Sequence, residues 1–531
     1  MVLLSWLESL RTHCAPSPAC CMALAAVCVL VCVLVHRTGR RGDYGNIPPG
    51  PRPMPVVGNF GAYLVPACLW RVLVRRQQTK AKKTPLGFMT EQARLYGNIY
   101  SIFIGHQLVV ILNGYEVIKD ALSNHADVFS DRPDIPTITL MTKRKGIAFA
   151  PYGPVWRIQR RFCQASLRTF GLGKLCLEPH ILECLAVVKD ELLQHYRNSS
   201  DAGVDPTPLI RTAVSNVICS MIMGHNFHHD DQEFHTLLEL MARGLEISVS
   251  GPALLINILP ALYYLPCGVF KELRQVQLDI TAFLKRIIAQ HRATLDPSDP
   301  RDLIDMYLAK VLEQQAAGEE DSSFSEDYLF YIIGDLFIAG TDTSTNSILW
   351  MLLYMVLNPD VQEKVQAEMD QVVGRERLPS MKDRGSLPFT EATIMEVERL
   401  TVAVPLGIPH MASKTAEFRG FTIPKGTVVI PNLWSVHRDP TVWEEPDTFN
   451  PGRFLDKEGK LLRTESFMPF GIGPRICMGE QLAKMEMFLM FTNLMQAFQF
   501  SLPIGVSPPS MQGRFGLTLA PCPYTVCVSP R

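Results

Sequence analysis

A chain of 531 residues, 47% of them hydrophobic, carries enough apolar side chain for a large core. Its formal net charge of -1 gives no overall field for nucleic acid, so no nucleic-acid partner is expected and basic character counts only where it clusters. Of its 14 cysteines, Cys14, Cys20, Cys21, Cys28 and Cys32 lie in or beside an apolar N-terminus, the others are scattered singly, and no CxxC occurs; this argues against a disulfide framework or zinc module and fits reduced thiols.

Residues 1–18 read as a luminal N-terminus. Ala19 to Val35 is an uncharged apolar run of about 17 residues, the short end of what spans a bilayer, and is expected to be a transmembrane helix. Arg37, Arg40 and Arg41 follow it while only Arg11 precedes it, so the positive-inside rule leaves the bulk of the chain on the cytosolic side. A cleaved signal peptide is the competing reading; the first residues lack the basic cluster it needs. The sequon at Asn198, Ser199 and Ser200 would then face the cytosol and stay unglycosylated. Residues 36–59 form a basic and proline-rich linker, with "IPPGPRPMPVVGN" stiffened by its fixed φ angles. Residues 60–531 are expected to make one domain.

Within that domain, "NIYSIFIGHQLVVIL" (98–112) predicts a β-hairpin turning at Gly105-His106, and "FRGFTIPKGTVVIPN" (418–432) a second strand region. Helical periodicity covers Pro154–Phe170, Leu182–Tyr196, Thr207–Met223, Gln232–Ile247, Lys271–Thr294, Asp360–Val373 and Thr390–Leu400. The longest helix should open at Ser325, an N-cap followed by Glu326 and Asp327, and run to Leu357, where Asn358-Pro359 stops it. About 32 residues at 1.5 Å rise give roughly 48 Å, enough to cross a large globule, and an apolar surface on every side suits a central position. The fold class is mainly α with a small β portion.

Late in the chain comes "FGIGPRICMG", Phe470 to Gly479. Gly473 and Gly479 let the backbone turn tightly beside a flat macrocycle. A thiolate at Cys477 can serve as an axial ligand that pushes electron density onto haem iron, so that O₂ is cleaved rather than stored. Arg475 could pair with a propionate through its planar fork, and Phe470 could shield the sulfur.

This pattern, FxxGxRxCxG, resembles the haem-binding loop of the cytochrome P-450 superfamily, and other marks of that family follow in order. The resemblance implies the cytochrome P-450 fold, a long central helix lying over a buried haem b, within a catalytic domain. "EVER" sets Glu396 and Arg399 at i,i+3 on one helix face; the family analogue is a buried triad completed by an arginine, here Arg453 in "NPGRF", that holds the meander under the haem. Gly452 stands where the family often has glutamate. In "AGTDTS" on the long helix, hydroxyls bonding the i−4 carbonyl would give a plain kink. The resemblance instead implies a widened turn for O₂, with Asp342 and Thr343 relaying protons. Trp156 and Arg160 in "WRIQRRF" match the family's WxxxR, whose members bond the haem propionates, and the resemblance implies propionate-facing positions for Arg132 in "SDRP" and His410 in "IPHM".

Arg157, Arg161, Arg168 and Lys174 form a basic run fit to steer an acidic electron donor. The implied donors are the NADPH-dependent flavoprotein reductase of the endoplasmic reticulum and, secondarily, cytochrome b5; no credible GxGxxG suggests that the chain binds NADPH itself. An apolar substrate pocket is expected from Phe337, Ile338, Ala339, Val404, Leu406, Ile408, Phe515 and Leu517. Stretches such as "FGLGKL", "ATIMEVERLT", "NLWSVHRDP" and "CMGEQLAKME" look like microsomal family two, subfamily U in particular. That likeness implies hydroxylation of long-chain fatty acids near the ω end, in the endoplasmic reticulum membrane with a mitochondrial inner-membrane pool left open. Two rivals are a haem-thiolate isomerase or dehydratase of fatty-acid peroxides and a haem or lipid-binding protein without turnover.

Overall fold

The computed structural model describes residues 45–53, 58–59 and 85–531, apart from 172–173, 199–202, 229–230, 258 and 319–322. The luminal segment 1–18, the transmembrane helix 19–35, most of the linker 36–59 and the sequon serines lie outside the described residues. Helix α1 (Pro85–Tyr96) leads into β1 (Ile99–Ile104) and β2 (Gln107–Leu112), which pair antiparallel with Ile104 opposite Gln107, the hairpin turning at the expected glycine. The second strand region divides. β3 (His410–Met411) precedes a hairpin of β4 (Ala416–Phe418) and β5 (Phe421–Ile423), which turns through the positive φ of Arg419 and Gly420, and β6 (Val428–Pro431) runs parallel to β2 to give the sheet order β1-β2-β6-β3. β7 (Phe498–Ser501) pairs with β10 (Cys527–Pro530), and β8 (Arg514–Phe515) with β9 (Leu519–Ala520).

Helices make up the rest. The longer ones are α2 (Pro136–Thr142), α3 (Pro154–Thr169), α4 (Glu178–Asn198), α5 (Thr207–Met223), α6 (Gln232–Ser248), α7 (Gly268–Thr294), α8 (Leu303–Ala316), α9 (Glu326–Leu357), α10 (Pro359–Val372), α11 (Pro388–Thr401) and α12 (Glu480–Ala497), with shorter helical turns between them. Local chemistry sets their starts: proline occupies the first turn of α3, α5, α10 and α11, where a missing N–H costs nothing, and the Asp231, Asp302 and Ser325 side chains cap α6, α8 and α9. Helix α9 spans 32 residues and packs against α5, α7, α8, α11 and α12, so it is buried from several sides as its unpatterned apolar surface requires. The expected list of helices omitted α1, α2, α8 and α12.

One junction fixes three helices together. His291, near the end of α7, has Nδ1 2.8 Å from the Ile287 carbonyl oxygen, and Nε2 2.9 Å from Asp302 Oδ2 and 3.1 Å from the Met223 carbonyl oxygen. All three partners are acceptors, so both ring nitrogens donate and the ring is an imidazolium. It ties the C-terminus of α5 to the N-cap of α8, where Asp302 Oδ1 also accepts from Asp305 N, and Arg301 neutralises Asp305 beside it. A Cβ at Gly224 would come within 2.6 Å of Asp302 Oδ2, and its φ is +58°, so the turn there needs glycine. Burial works against the charge on His291, but the Asp302 carboxylate outweighs it and the pKa is raised. The clamp's contribution is therefore fully present below about pH 6.5 and is lost as pH rises through the folded value. We expect His291→Gln to cost about 2 kcal/mol at mildly acidic pH and progressively less in alkali; urea midpoints of both proteins across pH measure this, and a gap that stays constant contradicts the imidazolium.

Candidate active site

The loop 470–479 feeds directly into α12. Its shape comes from two backbone bonds, Ile476 N to the Gly473 carbonyl and Cys477 N to the Phe470 carbonyl, both 3.0 Å, and from Gly473, whose φ is +83° and whose Cβ would lie 2.1 Å from the Leu122 carbonyl oxygen. Gly479, at the start of α12, has a φ of -90° and no protein atom within 4 Å of where a Cβ would stand. Cys477 is exposed, yet desolvation raises the pKa of its thiol, with the Arg160 guanidinium pulling the other way. Open surface on a group surrounded by protein is the property of a residue that lines an internal void. Phe470 meets Cys477 through its carbonyl, while its ring lies 5.3 Å from the Lys484 ammonium.

Three guanidiniums gather beside this loop. Arg475 donates from Nε, Nη1 and Nη2 to the carbonyls of Ser130, Ile147 and Ala150 and lies 4.0 Å from the Trp156 ring centre. Arg132 donates to the carbonyls of Ala148, Ile408 and Pro409. Arg160 donates to the Ile476 carbonyl, next to Cys477, and stacks 5.5 Å from Trp156. The Trp156 indole N–H is spent on the Ile147 carbonyl, so its role is to support the two arginines. Buried His410 donates Nδ1 to the Phe129 carbonyl at 2.6 Å; burial and then the Arg132 charge hold its pKa well down, so it is neutral.

Burial, followed by the charge of Arg475, pushes the Arg132 pKa well below its usual value, and burial lowers that of Arg475 and of Arg160 too. Among the described residues none of the three forms an ion pair with a carboxylate. A guanidinium does not shed its proton in a protein, so the unmet cost calls for an anion. Arg475 has used three of five N–H donors and Arg132 keeps both hydrogens on Nη2, so donors remain for it. A dianionic cofactor with a metal at its centre, seated between this cluster and the accessible sulfur of Cys477, fits the residues present.

On α9, Ala339 is exposed and Thr343 half-buried although the helix around them is largely buried. The Thr343 hydroxyl donates to the Ala339 carbonyl at 2.8 Å, and the helix continues unbroken through Ala339–Ser344, so the expected widening is not an interruption of α9. Asp342 does not bond Thr343. Its Oδ2 accepts from the Thr518 hydroxyl at 2.5 Å and from Asn346 Nδ2 at 3.2 Å. Thr518 was missed because it sits among apolar residues 176 positions away; only the i,i+4 spacing of Asn346 was there to find. Asp335, also missed, accepts from Ile147 N (2.7 Å) and Ala148 N (2.8 Å), and burial pushes its pKa up to about 6 against the pull of those two bonds. It fastens to α9 the same loop whose carbonyls grip Arg132, Trp156 and Arg475.

Glu396, Arg399 and Arg453 do come together. Arg399 is bidentate to Glu396 (2.7 and 2.9 Å), Arg453 Nε reaches Glu396 Oε1 at 2.9 Å, and the side chains of Arg399 and Glu396 are fully buried. Between them the two arginines hold the carbonyls of His437, Glu444, Glu445, Pro446 and Thr448. Gly452 leaves this intact because Asn450 closes the turn, accepting from Gly452 N and donating its own N–H to Glu396. Of the expected pocket residues, Ala339 and Phe515 are exposed, and Val404, Leu406, Ile408 and Leu517 half-buried. Phe337 is a correction: it is fully buried with its ring edge towards Phe234 and belongs to the core. Ile338 lines a separate small cavity between α5, α6 and α9. Arg157, Arg161, Arg168 and Lys174 are all exposed, forming a basic surface on and just beyond α3.

A family model described as cytochrome P-450 matches residues 48–528. The chain is 55% identical over 511 residues to cytochrome P-450 2U1 of Mus musculus, covering 95% of each protein. It is 54% identical to cytochrome P-450 2U1 of Homo sapiens, over 95% of this chain and 93% of that one. To cytochrome P-450 2D6 of Homo sapiens it is 39% identical over 96% of this chain and 98% of the relative.

Proposed function

Since the chain belongs to the cytochrome P-450 family, whose members are haem-thiolate monooxygenases, we propose that its substrates are long-chain fatty acids, hydroxylated near the ω end with electrons from NADPH through the flavoprotein reductase. Support for this substrate class is the greater identity to the 2U1 proteins than to 2D6, together with an expected pocket of apolar side chains. The observation that carries the cofactor reading is the unpaired cluster of Arg132, Arg160 and Arg475 beside an accessible Cys477.

Cys477 would be the residue that holds the iron of haem b. Arg132, Arg160 and Arg475 would supply the charge for its propionates, with the Trp156 ring stacked against Arg160 and Arg475 and neutral His410 close to the Arg132 charge. When bound, the haem supplies activation of O₂, one atom entering a C–H bond and the other leaving as water. Asp342, steadied by Thr518 and Asn346, and the Thr343 hydroxyl are the groups that hold and move protons. The exposed basic surface of α3 suits the acidic face of a reductase, with cytochrome b5 as a second donor. The apolar run of residues 19–35 and the arginines that follow it support a location in the endoplasmic reticulum membrane with the catalytic domain in the cytosol, and a mitochondrial inner-membrane pool is a second proposed location.

Enzyme reconstituted with reductase and NADPH should convert members of a fatty-acid panel to hydroxylated products by mass spectrometry. Turnover of a fatty-acid hydroperoxide without NADPH would support an isomerase instead, and binding without product a carrier. In the same system Thr343→Ala should raise peroxide released per NADPH by several-fold; unchanged coupling would leave Thr343 only its bond to Ala339.

A further inference from the structure

His437 is fully buried at the end of a short helical turn, Leu433–Val436, and its ring is bonded through both nitrogens. Nδ1 lies 2.9 Å from the Leu433 carbonyl oxygen, so it donates; Nε2 accepts from the Met468 amide at 3.0 Å, so it carries a lone pair. Together the two partners fix one neutral tautomer. Burial, joined by the charges of Arg438 and Arg399 and opposed by the Leu433 bond, lowers the ring's pKa to about 3, which agrees with that tautomer. The Phe467 ring meets the imidazole edge to face, with centres 5.8 Å apart.

The ring joins two parts of the protein described above. On one side, the His437 carbonyl accepts from Arg399 Nη1 at 2.6 Å, which ties the residue to the buried triad. On the other, Met468 stands at the entry to the cysteine loop. Its carbonyl accepts from Gly471 N at 3.1 Å, and two residues further on the Phe470 carbonyl accepts from Cys477 N at 3.0 Å. Pro469, between them, has no N–H to give. The series is unbroken: Glu396 holds Arg399, Arg399 holds His437, the imidazole holds Met468, and the loop's own bonds continue to Cys477.

We propose that His437 is a positioning residue for Cys477: its imidazole couples the Glu396–Arg399 pair to the entry of the cysteine loop and so sets where the sulfur stands. The inference rests on the reading of Cys477 as the residue that holds the iron. Without an acceptor at the place of Nε2 the Met468 N–H is left buried and unpaired, and the loop gains by moving to find another partner.

Asparagine and glutamine divide the imidazole's two bonds between them, and both remove the ring, so they test the coupling at similar cost to packing. In His437→Gln the amide reaches the place of Nε2 and offers an oxygen to Met468 N; in His437→Asn it stands at the place of Nδ1, keeps Leu433 and leaves Met468 unpaired. The full-length, haem-loaded protein is reduced and its carbonyl complex recorded. The ratio of unshifted to red-shifted Soret intensity should rise about tenfold in His437→Asn, the effect of one buried N–H left unpaired, and stay within about twofold of wild type in His437→Gln. Hydrogen–deuterium exchange of the peptide containing Met468, read by mass spectrometry, should quicken in His437→Asn alone. Equal band ratios in the two variants, a larger change in His437→Gln, or Met468 exchange that neither variant alters overturns the coupling. Loss of the fold in either variant, by circular dichroism, also counts against it, because the ring would then be a packing element of the core. If the wild-type protein itself lacks the red-shifted band, the reading of Cys477 fails, while the exchange measurement still decides whether His437 holds the loop.

Discussion

Replacing Cys477 with Ser should yield a protein whose reduced carbonyl complex lacks the red-shifted Soret band of a thiolate-ligated haem, with monooxygenase turnover lowered roughly a thousandfold or more, about 4 kcal/mol on the barrier. The sulfur is what pushes electron density toward the iron, and a serine hydroxyl in the same place ionises far less readily. Burial raises the pKa of the thiol, against the Gly479 amide and the Arg160 guanidinium, and a bound metal would favour the thiolate. The loop does not depend on sulfur for its shape, because its bonds run between the backbones of Phe470, Gly473, Ile476 and Cys477. Serine should therefore be tolerated by the fold, and circular dichroism should be unchanged. A wild-type carbonyl spectrum from the variant would remove Cys477 from the iron.

Glu396→Ala should be the most damaging substitution outside the haem loop. It strips a fully buried carboxylate from two arginines and from Asn450 N, leaving Arg399 charged and unpaired in the interior beside Trp443. Breaking a buried pair in this way costs about 3–5 kcal/mol, a large part of the 5–15 kcal/mol or so that holds a typical domain folded. Little haem-loaded protein should be recovered, and its urea midpoint should fall accordingly. Arg399→Lys should be nearly as severe, since an ammonium cannot replace a fork that serves both oxygens of Glu396 and three carbonyls. A midpoint within about 1 kcal/mol of wild type for Glu396→Ala would show that the triad is dispensable.

What could be read from the residues follows from where the information sits. The span of α9 was legible to its ends because Ser325 and Asn358-Pro359 are local signals, and α5 ends at Met223 because Gly224 adopts the left-handed conformation that follows a helix. Helix α12 was not, since nearly all its residues from Leu482 to Gln496 are buried, and a helix apolar on every side has no amphipathic period to detect. The cysteine loop, the arginine cluster and the triad residues could be named from motifs. Their partners could not: the carbonyls of Ser130, Ile147, Ala150 and Ile408 carry no side-chain signature, and Thr518 and Asp335 reach their sites only through tertiary contacts. Phe337 misled for a related reason. It precedes the exposed turn of α9, but the helix rotates it towards α6 and Phe234.

The loop that Asp335 fastens is tied on both edges: its amides bind the carboxylate on α9, and its carbonyls bind Arg132, Trp156 and Arg475. It therefore acts as a bracket in a mechanical linkage. Any event that slides the central helix by a fraction of an ångström must either snap two hydrogen bonds or carry the positive charges along with it. Occupancy on one side of that helix and the electrostatic potential at the cofactor's acidic edge thus share a single moving part.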